Sequence, residues 1–471
     1  MGAAANTSDT AAETTEARSE ELLAEALRRL VRRGRRSDIT RLLSRVRPGD
    51  MPALLSGLTP AERLLVFQIV TEDFPDTAGD VLSDLEAPQR LELLETLPPE
   101  AVAAILDSAA VDDAVYVLDS LPGGLRERVL ELVDPEQLSE MRPQLTYEDE
   151  TAGRIMDPEL FALPEATRVR QAIAAIQEKR DVEMIYYLYI VDSDRRLMGV
   201  TSLRQLLLSR PDQRLGEIMQ RDIIRVHTGT DQEEVAAIAS RHDLLAVPVV
   251  DDETRLVGIV TVDDIVDVVK EEANEDILRI AGTSEDELLY GERSLRVAGI
   301  RLPWLLVNLG GGVITGMLLE HFQLSFREAL FLLAFVPVVM GMGGNSGTQT
   351  STITVRGLAT GRLELTGGRI GRYLWQQIKV GVLLGLATGL VAGLAALALH
   401  RNPVYSLVVG GAMLCAIVVA SLNGVLIPLL FQRVGVDPAV AAGPLVTTSN
   451  DITGILIYFG LASLLIHSLV R

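Results

Sequence analysis

Five stretches without a charged side chain crowd the last third of the chain, and no other feature limits the fold so tightly. Residues 302–319, 329–355, 380–399 and 402–432 hold no Asp, Glu, Lys or Arg, and from 438 to 470 the only one is Asp451. A helix that crosses a bilayer needs about 20 mostly apolar residues, so the pattern predicts five membrane spans. Charge divides the chain at the same place. Residues 298–471 carry five acids (Glu320, Glu328, Glu364, Asp437, Asp451) against ten bases, so of the overall −21 the first 297 residues carry −26. The chain thus joins a strongly acidic, water-soluble part to an apolar, slightly basic one. The acidic part argues against nucleic acid as a partner, because phosphate binding needs a basic surface. It suits divalent cations.

The loop between the second and third runs holds Arg356, Arg362, Arg369 and Arg372, whereas the loops after the first and third hold one arginine each, Arg327 and Arg401. Positive charge stays inside. This predicts a multi-pass plasma-membrane protein with a cytosolic N-terminus and, after five spans, the C-terminus outside. Residues 1–20 are polar, lack the apolar core of a signal peptide, and read as a disordered tail.

The soluble part divides further. Residues 21–150 read as all-α: leucine-rich stretches recur between breaks such as Leu58-Thr59-Pro60, Leu97-Pro98-Pro99 and Leu121-Pro122, with proline at each expected helix start. Their spacing fits a small superhelical stack; an irregular helical domain fits nearly as well. Residues 151–270 contain an internal repeat. Ile190-Val191-Asp192 recurs as Val249-Val250-Asp251, and Leu197-Met198-Gly199-Val200 as Leu256-Val257-Gly258-Ile259, all at an offset of 59. Gly153-Arg154-Ile155-Met156 recurs as Gly216-Glu217-Ile218-Met219 at an offset of 63. Each unit reads as strand, turn, strand and helix, an α+β pattern. The repeat resembles a tandem pair of CBS domains, which implies a sensor for a nucleotide or an ion. A charged connecting helix over 271–296 then leads into a helical membrane domain, 297–471.

Asp451 is the most informative single residue. A carboxylate in a spanning helix costs about 2.5–3.5 kcal/mol on insertion scales and almost always faces a cavity or an ion path. Lys379 and Arg433 stand at span ends, leaving no base inside the membrane to pair with it. In the second span, Gly341-Met-Gly343-Gly344-Asn345-Ser-Gly347-Thr-Gln349 puts glycines and amides at membrane depth. Small-residue helix packing accounts for Gly343 and Gly347 but not for Asn345 and Gln349. Together these suit a hydrated divalent cation. Magnesium gives up its waters reluctantly, so its site needs carboxylate charge and acceptors for the water shell. Asp451 from two subunits of a homodimer, carbonyls near Gly344 and the Asn345 amide would supply both.

The chain resembles the MgtE family of magnesium channels and transporters from about residue 21 to its end. The carriers are the run 341–349, Val436-Asp437-Pro438-Ala439, Thr447-Thr448-Ser449-Asn450-Asp451 with Thr453-Gly454, and Val262-Asp263-Asp264-Ile265-Val266-Asp267. The resemblance implies a homodimer with a pore on its axis and a cytosolic part that senses Mg2+ and closes that pore. It places regulatory Mg2+ contacts on Asp112, the Gly153 backbone, Asp231, Asp243, Asp264, Asp267, Glu272, Glu275, Asp276 and Asp437. Tyr116 departs from the pattern, standing where a further acid is expected one turn after Asp112. The resemblance also implies nucleotide (ATP) contacts at Tyr187 and Arg204, with Gln205 and Leu244 standing where the family has an acid and an aromatic.

Independently of any family, seven acids within residues 263–276 point to a role beyond a solvated face. The five histidines show no paired metal spacing, and the chain has neither a G-x-x-x-x-G-K-[ST] loop nor a G-x-S-x-G elbow. An enzyme and an ATP-driven pump are therefore not expected. The single cysteine, Cys415, reads as a helix-packing residue and excludes an intrachain disulfide. Three readings remain open at this level: a Mg2+-gated Mg2+ channel, a secondary exchanger on the same scaffold, and a membrane-tethered sensor that conducts nothing. Asp451 argues against the third.

Overall fold

The computed structural model describes residues 22–178, 186–284, 287, 294–323, 327–359, 363 and 367–469. The expected 1–20 tail lies outside the described residues. The chain forms two compact units, one ending at Val269 and one beginning at Lys270.

The first unit opens with short helices: α1 (22–32), α2 (Arg36–Leu43), α3 (Met51–Ser56), α4 (Pro60–Asp73), α5 (Pro75–Ser83), α6 (Ala87–Thr96), α7 (Pro99–Ser108), α8 (Val111–Asp119), α9 (Gly123–Leu130) and α10 (Pro135–Gln144). Proline occupies the first position of α4, α5, α7 and α10, where its missing N–H costs nothing. At the start of α4 the Glu62 carboxylate accepts from the Thr59 backbone N–H (3.2 Å) and hydroxyl (2.9 Å), which holds its carboxyl below the usual range. The ends of these helices are closed by a recurring device. Buried Arg63 donates to the carbonyls of Leu55 and Leu58 (3.1 Å each). Arg90 does the same for Ser83 (2.8 Å) and Leu85 (3.2 Å), and Gln137 for Leu106 (2.9 Å) and Ala109 (3.1 Å). Each side chain satisfies carbonyls that an ended helix leaves open. The stack shares one core, with Val66, Phe67, Val70, Leu82, Leu94, Leu106 and Leu118 buried in it.

The repeat folds as expected. After α11 (Ala152–Ile155) come β1 (Ala162–Pro164), α12 (Val169–Glu178), β2 (Tyr187–Val191), β3 (Leu197–Ser202) and α13 (Leu203–Leu208). The second copy runs α14 (Leu215–Ile218), β4 (Val226–His227), α15 (Gln232–His242), β5 (Ala246–Val250) and β6 (Leu256–Thr261). Each sheet has a parallel first pair and an antiparallel hairpin, in the orders β1-β2-β3 and β4-β5-β6. The copies exchange their leading segments. Gly153 N–H donates to Thr228 O (2.8 Å), and Gly216 N–H to Glu165 O (3.0 Å). Met156 packs against Gly258 and Met219 against Gly199, leaving no room for a Cβ at either glycine. The two offsets seen in the sequence meet where the register changes between α12 and β2: α12 recurs as α15 at 63 and β2 as β5 at 59, so the first copy has four more residues there. Buried Arg154 ties this pair to the helical stack through Asp119 (2.7 and 2.6 Å).

Helix α16 (Val262–Ala281) follows β6 without a break and ends where Gly282 takes φ +78°, the left-handed stop that glycine adopts without strain. The connector expected as one helix to 296 therefore stops at 281, and most of 285–293 lies outside the described residues. Among the described residues of the second unit, five helices are long and apolar enough to cross a membrane. They are α17 (Ser294–Gln323), α18 (Val336–Ala359), preceded by a 3-10 turn (Arg327–Phe335), α19 (Gly367–His400), α20 (Pro403–Val434) and α22 (Pro444–Leu469). The apolar run from 438 is broken: a short α21 (Pro438–Ala442) ends at Gly443, and Pro444 restarts the chain as α22. Small residues set the packing. A Cβ at Gly389 on α19 would fall 2.6 Å from the Gly410 carbonyl oxygen on α20, and one at Gly410 would fall 2.7 Å from that of Gly389. Such close approach is how helices associate in a solvent as apolar as their own side chains.

Candidate cation sites

In the first unit the N-terminus of α8 presents Asp112 and Asp113. Around them lie Asp157, just past α11, and Asp263 and Asp264, which open α16. Asp112, Asp113, Asp157 and Asp264 are half-buried and Asp263 is exposed, so solvent and ions reach the group. Burial, and then the charge of Asp157, push Asp112 up to about 7. Burial and Asp112 push Asp113 up to about 7. Burial raises Asp157 to about 6, with Glu159 and Asp263 adding to the shift. Asp264 is raised by burial and by Asp112, although the Thr261 hydroxyl donates to it (2.6 Å). The fold thus gathers carboxylates, and each disfavours the charge of the next. The family resemblance marks Asp112 and Asp264. It passes over Asp113, which directly follows Asp112, and Asp157, whose neighbours are remote in the chain.

The structure sorts the other cytosolic residues. Asp231 caps α15, accepting from the Glu233 N–H (2.9 Å), and bridges to Thr151 beside Gly153. Asp243 ends the same helix with φ +51°. Asp243 lies twelve residues on from Asp231 along the helix, about 18 Å at 1.5 Å per residue, so one ion within one chain does not bridge them. Asp267 is exposed on α16, one turn after Asp264. Tyr187 begins β2 opposite Ser202, and Arg204 follows two residues later on α13, so both stand at one end of the first sheet.

In the second unit α16 carries Glu272, Glu275 and Asp276. Arg279 forms ion pairs with Glu275 and with Asp437. Asp437 also caps α21, accepting from the Ala439 N–H (2.7 Å). Burial and the nearby Asp437 raise Asp276 to about 6, against the pull of Arg279. The end of α16 packs on the start of α22, where the Ile280 carbonyl leaves no space for a Cβ at Gly443.

Seven residues on from Pro444, α22 carries Asp451, which is half-buried, and no described basic side chain pairs with it. Beside it Asn450 is buried and accepts from Asn423 Nδ2 of α20 (3.0 Å). Thr448 donates to Asn308 of α17 (3.3 Å). The glycines of α18 meet this helix: Gly347 lies against the Asn450 side chain, and a Cβ at Gly344 would stand 3.9 Å from the Thr447 methyl. Asn345 does not join them. It is exposed, on one face with exposed Gln349 and Thr352. Asn423 went unnoticed in the sequence, although an amide inside an apolar run is the same signal that marked Asn345. Among the described residues no three His, Cys, Asp or Glu side chains converge closely enough to hold a bare metal ion.

Family models match this chain along most of its length. Residues 336–461 match a divalent cation transporter family, MgtE; residues 46–150 match the MgtE intracellular N domain; residues 152–211 and 215–271 each match a CBS domain. The magnesium transporter MgtE of Thermus thermophilus is 37% identical over 399 residues, 83% of this chain and 87% of that protein. The chain belongs to the MgtE family. The MgtE proteins of Enterococcus faecalis, at 40% identity over 71% of this chain and 73% of that protein, and of Bacillus subtilis, at 31% over 84% and 87%, are likewise magnesium transporters. MgtE is thus a membrane transporter family and not an enzyme family. Among solved structures, the cytosolic domain of the Mg2+ channel MgtE in complex with ATP is 36% identical and covers 52% of this chain and 99% of its own, with a TM-score of 0.49. The soluble part of a magnesium transporter is 31% identical over 54% and 99%, with a TM-score of 0.48.

Proposed function

We propose that two copies of this chain form a Mg2+ pore in the plasma membrane that imports the ion and that Mg2+ on the cytosolic face closes. The observation that carries this reading is Asp451, a carboxylate within a spanning helix with no described basic partner. Such a group is retained where a cation passes. A hydrated Mg2+ needs carboxylate charge and oxygen acceptors for its water shell rather than a closed cage of protein ligands. Asp451 and the carbonyls near Gly344 of both subunits would supply them. The exposed amides of Asn345 and Gln349 support the dimer, because uncovered amides are costly in lipid and a second copy would cover them. The arginine-rich loop supports a cytosolic N-terminus and an outer C-terminus.

Closure follows from electrostatics. Two bare carboxylates about 4 Å apart repel by about 4 kcal/mol at an effective dielectric of 20. With little Mg2+ present, the group of Asp112, Asp157 and Asp264 opposes the compact cytosolic arrangement; bound Mg2+ relieves it and favours that arrangement. Gly153 with Asp231, Asp243 and Asp267 are further contact points, as are Glu272, Glu275, Asp276 and Asp437 where the end of α16 meets α22. Tyr187 and Arg204 would present a ring and a cation to ATP, a second ligand of the sensor. The decisive test is Asp451→Asn in reconstituted vesicles: Mg2+ uptake should be lost while the dimer still assembles. Undiminished uptake would remove Asp451 from the ion path.

A further inference from the structure

One face of α19 changes character along its length. Arg369, Arg372, Trp375 and Lys379 recur at three- and four-residue steps, and the same face continues as Leu383, Leu386, Leu390 and Leu394. The stripe is open: Trp375 is 58% exposed and Leu390 65%. Lys379 Nζ stands 5.6 Å from the centre of the Trp375 ring, so the aromatic and the cation form one patch at the arginine-rich end. From 356 to 400 the sequence has five bases and a single acid, Glu364.

A surface that is cationic and aromatic at one end and leucine-lined below it is complementary to one kind of molecule. We propose that this face of α19 binds an anionic phospholipid, its headgroup against Arg369, Arg372 and Lys379 and its acyl chains along the leucines. Trp375 would sit at headgroup level, where tryptophan anchors spans. A second copy of the chain is the poorer occupant, because a two-fold contact through this face sets its cations against their own copies. The inference rests on the membrane reading but not on Mg2+ conduction, and its test reads lipid rather than flux.

Full-length protein in detergent, supplied with equal phosphatidylglycerol and phosphatidylcholine, should retain phosphatidylglycerol preferentially when bound lipid is counted by native mass spectrometry. Lys379→Gln should lower that preference about fivefold, and Arg372→Gln with Lys379→Gln about fivefold again. Equal retention of the two lipids by the unaltered protein overturns the proposal whatever the variants do, and so does an undiminished preference in both variants. In a Cys415→Ser background, efficient disulfide cross-linking of Leu390→Cys between protomers would also overturn it, because the stripe would then be a protein interface.

Discussion

Arg279 is ion-paired with Asp437, joining the end of the acidic helix α16 to the cap of α21, seven residues before Pro444 starts the helix that carries Asp451. The guanidinium also pairs with Glu275 and offsets part of the strain on Asp276. A tethered cation thus stands among carboxylates that the proposed mechanism assigns to Mg2+.

Arg279 and Mg2+ should therefore compete. Both partners of the pair are about one-third exposed, and such pairs contribute at most about 1 kcal/mol. Arg279→Gln is expected to lower the Mg2+ concentration that half-closes the pore by about twofold to fivefold. Patch recording with Mg2+ varied on the cytosolic face measures it. A variant that no longer closes would show instead that Arg279 holds the closed form together.

The cytosolic acid group sets a pH dependence. Asp112 and Asp113 titrate near 7 and Asp157 near 6, all above an ordinary carboxyl. A carboxyl raised on folding favours the folded state while it is protonated, and that advantage fades as pH rises through the raised value. Without Mg2+, thermal stability of the cytosolic part should fall from pH 6 to pH 8. Added Mg2+ should restore more at pH 8 than at pH 6. Differential scanning fluorimetry at the two pH values gives both numbers, and a flat Mg2+ response would contradict the proposed role.

Asp157 separates the structural reading from the family pattern. Asp157→Asn removes one charge from the group, so the Mg2+-free form should be more stable and the ion should add less. Limited proteolysis of the full chain with Mg2+ titrated should show protection that begins higher and rises less steeply for the variant. Identical titrations would mean that Asp157 does not share the site.

Two glycines on α18 should differ sharply. A methyl at Gly347 would overlap the Asn450 side chain next to Asp451, whereas at Gly344 it would make ordinary contact with Thr447. Overpacking costs about 1–3 kcal/mol. Gly347→Ala is therefore expected to reduce Mg2+ flux about tenfold or more, and Gly344→Ala to leave it within about twofold. Flux per assembled dimer, measured in vesicles, distinguishes lost transport from lost assembly.

Composition and periodicity were enough to read the spans, the repeat and the acidic character of the soluble part. Each is a local property: an apolar run long enough to cross lipid, a duplicated hairpin, a charge imbalance. They were also enough to single out Asp451, because a lone acid in an otherwise uncharged run of spanning length is visible in the sequence itself. Contacts between remote segments were not legible in this way. Asp157 joins Asp112 and Asp264 only because the two repeats exchange their leading segments. Arg279 meets Asp437 across more than a hundred residues of intervening helices. Asn423 supports Asn450 from another span, and Asn345 points away from the helix that carries Asp451. Hydrogen bonds and ion pairs act over a few ångströms, so which of the many acids and amides reach one another was decided by packing and not by their order along the chain.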